Sequence, residues 1–236
     1  MQLAKDLANE LQRERAVTAI VEQIARYRLT VFAALEGLKV FYEHGPFAVR
    51  RMLIDAERRR LIASAPLHAG LRYWYLLPPG AELAGVKSDR TGPLSESAKL
   101  RAFALLQFCL SGKVRRERLT TEELSRYFPE LARPGLPGTY YFDPSAGRLG
   151  LARLDVGRRG RWDRIVKLVA DDVAEHLAHI GFRRLADAGR FEISVLTALP
   201  CKAHRLETAL APLLHRRLPV HAVALPGLLP LIVTHR

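Results

Sequence analysis

The sequence predicts a mixed α+β or α/β protein, with a helical N-terminal part and a C-terminal part built around a mixed sheet. Apolar residues recur at helical spacing along the first part of the chain. Two β-rich runs then flank the turn residues 68–70, which predicts a β-hairpin. Beyond residue 94, helical and strand-like segments alternate, an order typical of α/β domains. We therefore expect a first domain at 1–86, a linker at 87–94 and a second domain at 95–236.

Three helices are expected before the hairpin. Residues 1–27 carry apolar side chains at helical spacing, which predicts one long amphipathic helix or two in tandem, and residues 29–38 predict a short second helix. Pro46 stands in the first turn of a third helical segment, where helices accept proline. Three helices followed by a two-stranded hairpin is the order of a winged helix-turn-helix, in which the last helix reads DNA.

The third helix carries the predicted DNA-binding face. Val49, Leu53 and Ala56 share one face at helical spacing and are expected in the core. The opposite face has two adjacent arginines, and such a pair on a recognition helix reaches guanine edges or phosphates in a major groove. A winged helix used only for protein interaction or dimerisation is the alternative, and arginines on this face disfavour it. The predicted DNA-binding residues of this helix and the hairpin are Phe47, Ala48, Arg50, Arg51, Ile54, Arg58 and Arg72.

The second domain is predicted from alternating helical and extended patterns. Residues 120–123 have the order of a capping box, which predicts the start of a helix. Residues 144–147 have the composition of a turn between two strands. Helices are expected at 95–111, 162–180 and 202–214, and strands at 139–143, 148–156, 190–199 and 219–225.

One predicted strand raises the question of nuclease chemistry. A restriction-endonuclease-like site needs an acid near one strand and a D/E-x-K pair on the next, because the carboxylates hold Mg²⁺ and the lysine orients the attacking water. Asp143 stands where the first acid would lie, and Arg153 and Asp155 share a face of the next strand. Arginine replaces the acid of the pair and aspartate replaces the lysine, so a non-catalytic domain is expected. A Mg²⁺-dependent nuclease that uses Asp143 and Asp155 is the alternative.

The same strand leads into a basic segment. Arg158, Arg159 and Arg161 alternate with glycines at 157 and 160, and glycine lets the backbone approach a ligand closely. These arginines are predicted phosphate contacts. An exposed basic loop without a fixed partner is the alternative.

Composition restricts the partner and the compartment. The formal net charge of +13 favours a polyanion, DNA or RNA first and an anionic membrane surface second. The alternative is that a GC-rich genome alone accounts for the many arginines. Two distant cysteines and an N-terminus without an apolar signal core favour a reducing, cytoplasmic location. The sequence has no nucleotide-binding glycine motif, and no cofactor is expected. Asp172, His176 and His179 share a helical face, but a polar surface is favoured over a metal site.

Several segments resemble one family. Residues 25–35, 45–67 and 71–85 resemble the N-terminal winged helix of replication-relaxation proteins, which are found on plasmids and integrative conjugative elements. The similarity continues at 148–162 and 191–199, where the family resembles a degenerate restriction-endonuclease-like fold, often with an E-x-D pair.

This resemblance has consequences for function. Asp155 matches the second acid of that pair and Arg153 departs from the first. The resemblance implies a sequence-specific DNA-binding protein of a mobile element, acting as a transcriptional regulator or as an accessory factor in replication, relaxation or transfer. Double-stranded DNA is the expected partner of a homodimer, and a relaxase or a replication initiator is a further possible partner. An adaptor that recruits such a protein without binding DNA is the remaining alternative.

Overall fold

The computed structural model of the chain describes residues 2–41, 45–111, 115–133, 135–156, 162–213 and 218–233. Packing divides it into two compact units, Met1–Phe103 and Ala104–Arg236. Each unit has its own core, as the two predicted domains require, and the two are described separately below. No helix in the described ranges is both long enough and apolar enough to cross a bilayer.

The division between the units falls later than the linker predicted at 87–94. The Gly92 amide donates to the Leu76 carbonyl, and the Leu94 amide donates to the Tyr73 hydroxyl at 3.0 Å. The Leu94 side chain is buried. A polar, glycine- and proline-containing stretch therefore packs as part of the first unit, because its backbone amides find partners on the hairpin.

The first unit contains the predicted helices and hairpin. The first helix, the third helix and the two strands match the predicted segments, and the long N-terminal segment forms a single helix. The strands pair antiparallel, with Ile62 opposite Leu76. Thr30, between the first two helices, exchanges both backbone hydrogen bonds with Trp74 of the hairpin. The elements are α1 (Gln2–Tyr27), α2 (Phe32–Glu36), α3 (Gly45–Arg58), β1 (Ile62–His68), β2 (Leu71–Leu76) and α4 (Pro78–Leu83).

The core of the first unit forms where these elements meet. The predicted inner face of α3 is confirmed: Val49, Leu53 and Ala56 are buried. They pack in one cluster with apolar side chains of α1, among them Ile20 and Ile24. Burial of this face leaves the opposite side of α3 to face solvent.

The second unit is built on a five-stranded mixed sheet, in which the strands lie side by side in the order of the chain. The first three strands of this sheet pair antiparallel with one another, and the last three pair parallel, so the middle strand belongs to both sets. The predicted mixed sheet and the capping box between Thr120 and Glu123 are confirmed. The elements are α5 (Glu96–Leu110, which spans the division), β3 (Glu117–Arg118), α6 (Thr121–Tyr127), β4 (Tyr140–Asp143), β5 (Arg148–Leu154), α7 (Asp163–Ala178), α8 (Ile180–Asp187), β6 (Phe191–Thr197), α9 (Pro200–Leu210), β7 (Val220–Ala224) and α10 (Leu229–Val233).

Two elements of the second unit differ from the prediction. Strand β3 is only two residues long, too short to leave a pattern in the sequence. The helix expected at 162–180 ends at residue 178, and α8 follows after His179, whose backbone is extended. Gly181, in the first turn of α8, lies close to the preceding segment, since a Cβ there would come within 2.8 Å of the Glu130 carbonyl oxygen. The chain turns at this close approach and starts a new helix.

The sheet buries both faces. Leu149 and Leu151 of β5 pack in one cluster with side chains of the α7–α9 layer, including Phe182. On the other face, Tyr141 meets Phe108 of α5 edge to face, with ring centroids 4.9 Å apart. The Tyr141 ring lies over Gly150, where a Cβ would come within 2.0 Å of it. Neighbouring residues of β4 and β5 therefore serve opposite layers, as strand geometry requires.

Candidate nucleic-acid interface

One surface of α3 combines basic and large apolar side chains. Phe47 is 83% exposed and Ile54 is 41% exposed, and Arg50, Arg51 and Arg58 are exposed as well. At 3.6 residues per turn these positions fall within an arc of about 100°. We call this set of five residues the α3 stripe.

Ala48 lies beside the α3 stripe and not on it. It was predicted with the DNA-facing residues, but it is half-buried and packs against the core cluster of the first unit. Its position is about 100° around the helix from Phe47, at the border between the inner and outer faces. A small side chain at this border fits the packing and leaves little surface for a ligand.

The arginines of the α3 stripe differ in their contacts from Arg59, which directly follows α3. Arg50, Arg51 and Arg58 have neither an ion pair nor a hydrogen bond with any described residue. Arg59, by contrast, donates to Glu14 at 2.9 Å and pairs with Asp55 at 2.9 Å. The arginines of the α3 stripe therefore keep their donors available, while Arg59 connects α3 to α1.

Asp55 is the acceptor at the centre of this connection. Burial by itself raises the pKa of the Asp55 carboxyl, but hydrogen bonds and charge from Arg13 and Arg59 outweigh it and hold the pKa below the usual value. Arg13 Nε donates to Asp55 Oδ2 at 3.1 Å. The carboxylate thus stays ionised and fixes α3 against α1.

The hairpin is fixed against α3 and holds its own arginine. Trp74 Nε1 donates to Glu57 Oε1 of α3 at 3.0 Å. Arg72 Nη2 donates to the hydroxyl and the carbonyl of Ser64 on the facing strand, at 3.0 and 3.2 Å. Arg72 is exposed, so it presents a guanidinium in a defined direction on the hairpin surface. Tyr73 beside it is buried and packs in the core.

Asp143 of the second unit has a structural environment. Its Oδ1 accepts the Ser145 amide at 3.0 Å and the Ala146 amide at 3.2 Å, and Oδ2 lies 3.2 Å from Arg116 Nε. Burial raises the pKa of Asp143, but the Ser145 hydroxyl, the turn amides and Arg116 outweigh it and lower the pKa overall. The carboxylate closes the turn between β4 and β5.

Asp155 lies in a buried ion pair. Its Oδ2 is 2.5 Å from Lys202 Nζ of α9, and the two residues are 4% and 6% exposed. The Asp155 amide donates to the Leu196 carbonyl of β6. An ammonium group thus occupies the space in front of this carboxylate.

The alternative metal pair, Asp143 and Asp155, is not brought together. Asp143 pairs with Arg148 at the start of β5, and Asp155 comes seven residues later in the sequence. At the rise of a strand this separation is about 23 Å. The two also face opposite layers, since Asp143 has the orientation of Tyr141 and Asp155 meets α9. No cluster of three potential metal ligands occurs in the described part of the chain.

A chain of buried polar groups runs from β5 to β4 through α7. Arg153 Nε donates to Asp172 Oδ2 at 2.6 Å. His176 Nδ1 is 2.6 Å from the Asp172 carbonyl oxygen, so Nδ1 carries the proton, and Nε2 accepts from the Tyr140 hydroxyl at 2.6 Å. Burial lowers the pKa of His176, which favours this neutral form. The polar surface expected at these positions is wrong for Asp172 and His176, because both are buried and bonded within the core.

Three predicted residues are not described by the structure, and one residue of the buried ion pair was not predicted. The predicted phosphate contacts Arg158, Arg159 and Arg161 lie outside the described residues. Lys202 was missed by sequence reasoning, although it stands one turn before Leu206, which is buried. This spacing was the available signal that a lysine faces the core.

Among the described residues, the α3 stripe therefore has arginine donors without a partner, whereas Asp143, Asp155 and Asp172 are engaged in contacts within the fold. Comparison of the chain with protein-family models, with curated proteins and with solved structures gave no match.

Proposed function

We propose that this protein binds double-stranded DNA through the α3 stripe, with the first unit acting as a winged helix-turn-helix. The observation that carries the proposal is the contrast on α3 between a buried inner face and an outer face whose three arginines have no partner within the described part of the chain. Guanidinium groups in this setting match phosphates and guanine edges. The formal net charge of +13 adds a long-range attraction for a polyanion.

The shape of the first unit supports the same proposal. An exposed helix of this kind fits the major groove, which is about 12 Å wide. The hairpin, fixed to α3 by the bond between Trp74 and Glu57, would lie along the adjacent backbone as the wing. Arg72, held by Ser64, would then contact a phosphate or the minor groove.

For the second unit we propose a restriction-endonuclease-like scaffold that does not cut DNA. Its three antiparallel strands, followed by helices and a parallel strand, support the fold. Lys202 and Arg153 engage the carboxylates Asp155 and Asp172, which supports the loss of a metal site. The unit would contribute phosphate contacts, through Arg158, Arg159 and Arg161 among others, or dimer contacts.

The biological role we propose follows from the family resemblance alone. The protein would be a regulator of transcription or an accessory factor for replication, relaxation or transfer of a mobile element. It would act as a homodimer on a palindromic or repeated site, because winged helix-turn-helix domains usually read paired half-sites. A relaxase or a replication initiator would be its protein partner.

A binding selection tests the DNA proposal. Repeated selection from a random-sequence duplex pool by the wild-type protein should enrich a motif. Combined Arg50→Ala and Arg51→Ala substitution should remove the preference for that motif, at about 1–3 kcal/mol for each lost base contact. The matched control is Arg15→Ala with Lys87→Ala, which removes the same charge from exposed positions outside α3 and the hairpin. The control should retain the preference.

Three outcomes would contradict the DNA-binding proposal, and a fourth would contradict the proposal for the second unit. Equal loss in the control pair would mean that only net charge matters. An unchanged preference in the Arg50/Arg51 variant would place the interface elsewhere. Absence of any DNA binding, with tight capture of a relaxase or an initiator, would favour the adaptor. Nicking of supercoiled plasmid with Mg²⁺ or Mn²⁺, lost in Asp155→Ala, would overturn the non-catalytic second unit.

A further inference from the structure

The α3 stripe has an order of chemical types along the helix. Phe47 comes first, the Arg50 and Arg51 pair follows one turn later, and Ile54 follows after another turn. Both apolar side chains are exposed, Phe47 at 83% and Ile54 at 41%. Basic side chains are therefore placed between two apolar ones on one narrow surface.

The apolar side chains of the stripe lie outside the core of the first unit. Neither Phe47 nor Ile54 belongs to the core cluster formed by the described residues of α1, α3 and the hairpin. Phosphate contact needs only donors and charge, so it gives no reason for an exposed phenylalanine. Contact with an apolar group on the edge of a base would explain why the phenylalanine is exposed.

The major groove offers one apolar group and one strong double acceptor. The thymine 5-methyl group contacts apolar side chains, and the guanine O6 and N7 accept two hydrogen bonds from one arginine. No other partner surface in a DNA duplex matches both halves of the stripe. In the minor groove, guanine presents an amino donor that arginine does not complement.

Spacing sets the length of the sequence that the stripe covers. Seven residues separate Phe47 from Ile54, which is about 10.5 Å along the helix axis. Base pairs follow each other at about 3.4 Å. The stripe therefore spans about three to four base pairs.

We infer that the α3 stripe reads a major-groove element of about four base pairs in which guanine, bound by Arg50 or Arg51, lies between thymines contacted by Phe47 and Ile54. This inference rests on the proposed DNA-binding function and specifies the bases that the same surface takes. Guanine supplies the larger part of the discrimination, because a double hydrogen bond to an arginine is worth more than one methyl contact.

The experiment uses the full chain and the motif enriched by the wild-type protein, with single bases replaced by analogues. Replacing the central guanine by 7-deazaguanine removes the N7 acceptor and should weaken binding by roughly 5- to 150-fold, the span of one good base contact. Replacing a flanking thymine by uracil removes only the methyl group and should weaken binding by about 4-fold. Inosine in place of guanine keeps O6 and N7 in the major groove and removes the 2-amino group, with its minor-groove donor and one Watson–Crick hydrogen bond, so affinity should fall far less than with 7-deazaguanine.

Variants connect each base to its side chain. In Arg50→Ala with Arg51→Ala, 7-deazaguanine should have no further effect, and in Phe47→Ala or Ile54→Ala one thymine-to-uracil change should become silent. Loss of binding with inosine, or indifference to 7-deazaguanine in a motif that the wild type binds tightly, would overturn the inference while DNA binding stands. Failure to enrich any motif would instead overturn the proposed function.

Discussion

Basic side chains are exposed on the α3 stripe of the first unit, whereas two basic side chains of the second unit pair with buried carboxylates. On α3, Arg50, Arg51 and Arg58 are exposed and have no partner among the described residues. In the second unit, Arg153 is bound to Asp172 and Lys202 is buried against Asp155. The difference shows that a basic sequence does not make every cation a DNA contact. Whether a carboxylate of the core faces the cation decides its role.

The largest effect is expected where this pairing is broken in the interior. Lys202→Ala leaves Asp155 buried without its ammonium partner, which should lower the free energy of unfolding by about 3–5 kcal/mol. Urea denaturation followed by circular dichroism measures it. The matched control is Lys167→Ala, because Lys167 pairs with Asp171 at 3.1 Å with both side chains exposed. That control should cost less than about 1 kcal/mol.

A double variant distinguishes the effect of the two charges from the effect of the volume that the two side chains fill. Lys202→Met combined with Asp155→Asn removes both charges and nearly keeps the volume, so it should recover much of the stability lost in Lys202→Ala. A cost of under about 1 kcal/mol for Lys202→Ala alone would show that water reaches Asp155. The contrast between the two units in the environment of their cations would then be weaker.

A smaller effect is expected in the neighbouring polar chain. Tyr140→Phe removes the hydroxyl that donates to His176 Nε2 at 2.6 Å and leaves that nitrogen buried without the bond. The free energy of unfolding should fall by about 1–3 kcal/mol. Tyr127→Phe, at a residue that is 61% exposed, is the control and should be close to neutral. Equal costs in the two variants would contradict a structural role for this bond.

The same histidine predicts a dependence on pH. Burial lowers the pKa of His176 below its usual value of 6.5, so the unfolded chain binds the proton more readily than the folded one. Stability is therefore fully present above 6.5 and is lost as pH falls from there toward the lower native pKa, by at most about 1.4 kcal/mol per pH unit. Denaturation at about pH 7.5 and about pH 5.5 measures this slope. His176→Gln should reduce it, and an unchanged slope would assign the titration to other groups.

The sequence predicted surfaces better than pairings. The periodicity of α3 predicted both its inner face and the exposed positions of the stripe, because helical spacing alone sorts residues by direction. Strand alternation also predicted that Arg153 and Asp155 share a face. No local sequence pattern indicates which residues pair with Arg153 and Asp155. Their partners, Asp172 and Lys202, come from α7 and α9, so the pairing depends on tertiary packing. For the same reason the distance between Asp143 and Asp155 required the structure.

The smallest effect on stability, and the one most informative about function, is expected on the α3 stripe. Arg50→Ala with Arg51→Ala removes two exposed side chains without partners among the described residues, so the free energy of unfolding should change by less than about 0.5 kcal/mol. Affinity for the selected DNA motif should fall much more than affinity for an unrelated duplex, because a base contact affects only the specific complex. Anisotropy titrations with both duplexes measure the two affinities. Equal losses on both would assign these arginines to phosphates, and a large loss of stability would assign them to the fold, which would remove the difference between the two units.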